Sequence, residues 1–172
     1  MSACDVAIIG AGPYGLSVAA HLRAVNGLGV QIFGDPMSFW DRQMPVGMLL
    51  RSPWAGSHLS DPKGGLTLDA YRQAQGNHFG APIPLDRFID YGRWFQRKVV
   101  PDVDRRQVTL VESDSGGFRL VLVDGETIKV RLVVVAAGIA PFAWRPEPFR
   151  NLPPELASHS SEQREGSVLS FA

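Results

Sequence analysis

Three glycines, Gly10, Gly12 and Gly15, stand in the order G-x-G-x-x-G between an apolar run and an Ala- and Leu-rich stretch. That spacing serves one kind of chemistry, the binding of a dinucleotide through its pyrophosphate. The first glycine allows a tight turn, the second puts no side chain between backbone and phosphate, and the third lets helix and strand pack closely. A helix opening at this point offers unpaired backbone N–H groups and a partial positive charge to the anion. Pro13 has no N–H and presets φ for the first turn, so Tyr14 and Gly15 are the expected donors.

The same chemistry asks for an acid near the end of the second strand, to accept from the adenosine ribose. Asp35 lies 20 residues after Gly15, at the expected distance. The strand ends Ile32-Phe33-Gly34-Asp35, however, which sets the acid one place late, and one residue of slip turns a strand side chain to the opposite face. Two readings of Asp35 therefore stand, a ribose ligand and a solvated turn residue ahead of Pro36. The histidines suggest less. His21 falls inside the first helix, where a surface position is expected, and His58, His78 and His159 lack the spacing of a metal site. Ser57, His58 and Asp61 supply the residue types of a hydrolytic triad, but a triad is set by geometry and no G-x-S-x-G turn is present.

The elements that must carry these residues follow in order. Asp5-Val6-Ala7-Ile8-Ile9 is short, apolar and rich in β-branched residues, the pattern of a strand buried on both faces. Leu16 to Val25 reads as a helix stopped by Asn26-Gly27, and Val30-Gln31-Ile32-Phe33 as the next strand. This is a βαβ unit, which places the two strands parallel. Gly34 to Pro84 is broken by Pro and Gly and reads as irregular chain over a ligand, and Leu85 to Val100 restores helical periodicity despite Gly92. Val108–Glu112, Phe118–Val123 and Thr127–Val130 read as an antiparallel meander, with a tight-turn signal at Asp124-Gly125. Leu132–Gly138 is again fully apolar and is expected to rejoin the parallel sheet as a separate strand. The stretch from Pro141 onward, with Pro146, Pro148, Pro153 and Pro154, shows no element of its own.

Composition narrows the function classes. Among 172 residues, 17 Lys and Arg balance 17 Asp and Glu, so no basic excess drives binding to nucleic acid or an anionic membrane. Apolar runs are far shorter than the ~20 residues of a membrane-spanning helix. The single cysteine, Cys4, allows no internal disulfide and fits a reducing, cytoplasmic setting. The 18 glycines and 13 prolines mean that much of the chain is turn and loop.

Asp5 to Leu16 resembles the opening of FAD-dependent oxidoreductases related to the flavin-containing and N-hydroxylating monooxygenases. Leu132–Gly138, ending Ala136-Ala137-Gly138, resembles their second signature, an apolar strand closing on Ala-Thr-Gly. The preceding meander is what separates the FAD domain of this superfamily from a simple NAD domain. Ser158-His159-Ser160-Ser161-Glu162 resembles the His-Ser segment that leads these enzymes into an NADPH domain. The likeness runs from about Asp5 to Glu162.

The resemblance implies FAD as cofactor, held by Gly10, Gly12, Pro13, Tyr14, Gly15 and Asp35, with Ala137 and Gly138 closing the loop. It sets Val108 backbone against the adenine edge and Trp40, Met48, Leu50 and Ser52 along the flavin, with Met44 beside them. A flat ring with polar edges suits such apolar and aromatic walls. For Trp40, core packing stands as an equal reading. Departures from the family pattern are also plain. Gly34 stands where the family carries Glu, and no second G-x-G-x-x-G is present to hold NADPH.

The expected fold is α/β, a Rossmann-like parallel sheet with a βαβ dinucleotide unit and an inserted antiparallel meander, incomplete at its C-terminal side. Residues 1–145 would form the FAD-binding domain, with the meander at about 107–131, and 146–172 an irregular tail. The expected function is that of the FAD-binding domain of a flavin-dependent, monooxygenase-like oxidoreductase that does not bind NADPH alone, has no catalytic residue of its own, and self-associates or takes a partner chain. The alternatives are an NAD(P)-binding protein and a non-catalytic nucleotide-binding remnant.

Overall fold

The computed structural model describes residues 4–76, 78–159 and 162. Of the Ser158–Glu162 segment, Ser160 and Ser161 lie outside the described residues, as do 163–172 of the expected tail.

Strand β1 (Cys4–Ile9), helix α1 (Pro13–Arg23) and strand β2 (Val30–Phe33) form the βαβ unit, with Ile8 level with Ile32 in parallel register. β1 is buried on both faces, as its unbroken apolar run requires. Val6 and Ile8 pack into a core shared with the helices, while Ala7 points into a second core with Phe33, Leu120, Leu122 and Val130.

Strands β5 (Val108–Asp114), β6 (Gly117–Leu122) and β7 (Thr127–Val135) complete one five-stranded sheet of order β2-β1-β7-β6-β5. Here the structure corrects the sequence reading. The return strand of the meander and the closing parallel strand are one continuous strand, β7, antiparallel to β6 and parallel to β1. Arg131, the polar residue that divides the two apolar runs, does not break the strand. Its guanidinium reaches Asp5 at 3.0 Å on the sheet surface, so the backbone ladder runs on beneath it. Phe33 of β2 and Leu120 of β6 belong to one buried core together with Ala7 and Val130 of the two strands between them.

The irregular span also holds more structure than its Pro and Gly content suggests. It contains α2 (Ser38–Gln43), the short antiparallel pair β3 (Leu49–Leu50) and β4 (Ile83–Pro84), and α3 (Leu68–Gln75). Helix α3 is delimited by local chemistry: the Thr67 hydroxyl accepts from the Ala70 N–H at 3.2 Å, and Gly76 ends the helix in a left-handed conformation. Helix α4 (Leu85–Val99) matches its periodicity. Gly92 is not a weakness there. A Cβ at that position would stand 2.4 Å from the Met37 sulfur, so the glycine is the seat for Met37. Past Gly138 the described residues include a 3-10 turn at Ala140–Phe142 and the short α5 (Glu147–Arg150), so the region expected to have no element of its own does carry local structure.

Arg106 ties the edge of the sheet together. Its guanidinium bonds the carboxylates of Asp104, Asp124 and Glu126, joining the chain beside β2 to the β6–β7 turn. No helix among the described residues is long and apolar enough to cross a membrane.

Candidate functional site

The loop between β1 and α1 is built by contacts that only glycine permits at two of its three positions. Gly10 has φ +110°, and a Cβ there would lie 2.2 Å from the Ala136 carbonyl oxygen. At Gly15 a Cβ would lie 1.8 Å from the Gly10 carbonyl oxygen. The turn is thus wedged between the end of β7 and the first turn of α1. Gly12 differs. Nothing lies within 4 Å of where its Cβ would be. Its missing side chain serves no packing purpose in the chain and leaves the helix N-terminus open to an approaching group.

Pro13 is the first residue of α1, and the Gly12 carbonyl accepts from Leu16 N at 2.9 Å. The N–H groups of Tyr14 and Gly15, in the first turn, have no carbonyl within their own helix to bond. An open cradle over Gly12, facing a helix N-terminus, fits the pyrophosphate of a dinucleotide. Ala137 and Gly138 follow β7 directly, and Ala137 N would lie 3.1 Å from a Cβ on Gly10, so the second signature closes on the first. The structure thus brings the glycine loop and the Ala136-Ala137-Gly138 segment side by side.

Asp35 is not free. Its carboxylate bonds Arg42 at 2.5 Å and lies 3.8 Å from Arg105. It stands just past β2 in a turn next to Pro36, and Gly34, ahead of it, donates its N–H to the Asp104 carbonyl at 2.8 Å. Val108 opens β5 and packs in the core that contains Phe33, the last residue of β2 before Gly34 and Asp35.

The residues expected along the flavin divide between two cavities. Trp40, Leu50 and Ser52 line a cavity of about 350 Å³ with Pro13, Tyr14, Ser17 and His58. Met44 and Met48 line a separate, mostly apolar cavity of about 380 Å³ against Phe39, Ile139 and Phe142. Met48, just before β3, and Leu50, within it, thus line different cavities although two residues apart. Trp40 lines the first cavity and also packs edge-on to Phe88 at 4.8 Å between ring centres.

The triad geometry is absent. The Ser57 hydroxyl donates to the Pro53 carbonyl at 3.1 Å. Asp61 accepts from the backbone N–H groups of Lys63, Gly65 and Leu66. Burial pushes the Asp61 carboxyl up, but those N–H groups outweigh it and hold the acid below its usual value. His21 lies on the surface as expected, with Nε2 2.8 Å from the Ser60 hydroxyl. Among the described residues no group of His, Cys, Asp and Glu could hold a metal ion.

Two residues that shape this wall were missed by the sequence reading. Tyr91, fully buried, accepts from Leu59 N at 2.9 Å and donates to the Leu66 carbonyl at 2.7 Å, pinning both ends of the segment that follows His58. Ser17 donates to the Pro13 carbonyl at 2.7 Å and accepts from Ser60 N at 3.0 Å, tying that segment to the helix that opens at the glycine loop. The helical period of α4 could have revealed Tyr91, which falls three residues after Phe88. Nothing local marks Ser17.

The architecture agrees with that of known flavoproteins. A flavin-containing monooxygenase from Stenotrophomonas maltophilia superposes with TM-score 0.71 at 26% identity, over 86% of this chain and 42% of its own. An ornithine N-hydroxylase from Kutzneria sp. 744 gives TM-score 0.65 at 19% identity, over 77% and 37%. The bacillithiol disulfide reductase from Staphylococcus aureus gives 0.64 at 18% identity, over 80% and 39%, and at such identities the likeness is one of fold. The chain therefore spans about two fifths of the length of these proteins. Its fold is the FAD-binding fold of flavin monooxygenases, present in part. Curated proteins offer no sequence match. The lycopene cyclase protein family, an FAD-binding type, matches residues 5–151, from the first residues of β1 to the turn after α5, and by that match the chain belongs to the lycopene cyclase protein family.

Proposed function

We propose that this chain binds FAD and forms the FAD-binding part of a flavin-dependent, monooxygenase-like oxidoreductase. The observation that carries this reading is the open cradle over Gly12 at the N-terminus of α1, in a turn wedged between the end of β7 and the first turn of that helix. The pyrophosphate would sit on the first-turn N–H groups of Tyr14 and Gly15. Adenosine would extend toward Asp35 and Val108. The flavin ring would enter the cavity lined by Trp40, Leu50 and Ser52. Met48, expected along the flavin, lines the second cavity with Met44. Bound flavin supplies two-electron redox chemistry, and the protein's part is to hold the ring, orient it and exclude water around it.

Residues 1–145 make up this unit, and 146–172 lie beyond it. With no second glycine loop, the chain does not oxidise NADPH at an enzymatic rate by itself and takes the nicotinamide from elsewhere. Cys4, the single cysteine, suits a cytoplasmic setting.

One observation favours a second reading. Arg42 and Arg105 flank Asp35 at the ribose end of the site, and arginines there suit the 2′-phosphate of NADP. Denaturing the purified protein and weighing the released ligand separates the two. A mass of FAD supports the first reading, and NADP supports the second. Titration of the stripped chain with FAD, NADP and ADP gives the order of affinities.

A further inference from the structure

His58 is not among the residues that the family likeness assigns to the flavin. It nevertheless lines the same cavity as Trp40, Leu50 and Ser52, and its Nε2 is buried without any hydrogen-bond partner. Buried polar nitrogen is costly to leave unpaired, so an unpaired one beside a cavity calls for a partner that the chain does not supply. The ring is otherwise held only on its faces and edges. It stands edge-on to Trp54 at 6.5 Å between centres. Ser57 before it is committed to the Pro53 carbonyl, and Leu59 after it is held by Tyr91, so the backbone on both sides is fixed and any reorientation of the imidazole is a rotation about its own Cβ–Cγ bond. Such a turn exchanges ring carbons for ring nitrogens and brings Nε2 out of its unpaired position.

The other polar side-chain groups on this wall are the hydroxyls of Tyr14, Ser17, Ser52, Ser57 and Ser60 and the indole N–H of Trp40. Ser17 already gives its proton to the Pro13 carbonyl and its lone pair to Ser60 N. The Ser60 hydroxyl already meets His21. Among the side chains lining this cavity, His58 is the one that buries a polar atom without a hydrogen-bond partner. We propose that His58 is the positioning residue for the flavin ring, turning to hydrogen-bond the ring's polar edge when FAD is held by the glycine loop. The proposal rests on the FAD reading given above.

The test separates the two. FAD and ADP are titrated into the stripped full chain, as wild type, His58→Leu and His58→Gln. ADP carries the adenosine and the pyrophosphate and reaches only the glycine-loop end. In His58→Leu, FAD affinity should fall about tenfold, the scale of one hydrogen bond in a buried site, while ADP affinity stays at wild type. His58→Gln, which keeps a bonding group, should recover most of the loss. The absorption bands of bound flavin should shift in His58→Leu and return in His58→Gln. Wild-type FAD affinity and spectrum in His58→Leu would overturn the proposal and leave the FAD reading standing. An equal loss of ADP would assign His58 to the structure of the wall and overturn it as well. Wild type that binds ADP but not FAD would overturn the FAD reading and the proposal with it.

Discussion

Gly15 stands so close to Gly10 that a Cβ on it would sit 1.8 Å from the Gly10 carbonyl oxygen, whereas a Cβ on Gly12, between them, would touch nothing within 4 Å. Two glycines of one motif thus do different work. Gly15 is required by the chain itself, and Gly12 by what approaches it. Gly12 also has an extended conformation, φ −78° and ψ −176°, open to any residue. Gly12→Val should therefore fold with a melting temperature near wild type and lose dinucleotide binding. Gly15→Ala should push α1 off β1 and cost about 3 kcal/mol or more. Thermal melts run beside FAD titration check both, and retained FAD binding in Gly12→Val would remove the pyrophosphate from this loop.

Tyr91 gives a prediction in pH. Burial pushes its phenol up to about 12, and the Leu59 N–H that it accepts lowers it only in part. Between pH 10 and about 12 the unfolded chain gives up this proton while the folded chain keeps it, so stability falls as pH rises through that window. The whole loss is no more than about 3 kcal/mol. Tyr91→Phe removes this slope. It also leaves Leu59 N–H and the Leu66 carbonyl without their partner, which costs about 2 kcal/mol at neutral pH. Denaturant unfolding of both proteins at pH 8 and at high pH measures the difference.

How far the sequence could be read depended on whether the signal was local. The glycine loop, β1 and α1 were legible because turn, period and spacing all lie within a short stretch. Helix α3 was equally local, marked by Thr67 at its start and Gly76 at its end, but the surrounding Pro and Gly residues masked it. β7 was split in two because Arg131 interrupts its apolar run, and only the ladder to β1 and β6 shows that the strand continues. The two cavities were not legible at all. Met48 and Leu50 are two residues apart, yet which cavity each lines depends on α2, β4 and the chain beyond Gly138. The unpaired nitrogen of His58 is likewise a property of burial, which neighbours distant in sequence create.

Asp35 is pulled in two directions. Arg42 at 2.5 Å already satisfies its carboxylate, and a ribose hydroxyl would have to share it. A carboxylate has lone pairs enough for both, so the ion pair can orient Asp35 without occupying it fully. Asp35→Ala should weaken FAD by ~1–3 kcal/mol, the scale of a charge-assisted hydrogen bond. If NADP is the ligand instead, Arg42→Ala should weaken NADP more than NAD, and Asp35→Ala should favour NADP. Calorimetric titration of the two variants with all three nucleotides distinguishes these patterns, and unchanged affinity throughout would return Asp35 to the role of a surface turn residue.

The segment after β7 carries the last prediction. Ile139, Phe142 and Trp144 lie within a few residues of one another, and each exposes most of its side chain. The apolar cavity of about 380 Å³ opens on the same segment. Apolar surface gathered in this way is unusual on a monomer and favours association, at roughly 25 cal/mol for each Å² removed from water. The chain should self-associate, or pair with a chain that supplies the nicotinamide site. Light scattering after size exclusion should give a mass above that of one chain. Replacing Ile139, Phe142 and Trp144 together with Ser should shift it toward the monomer while leaving the FAD titration intact, because none of the three lines the cavity beside the glycine loop. A wild-type chain that stays monomeric at every concentration tested would show that this face is tolerated in water and would remove the argument for a partner.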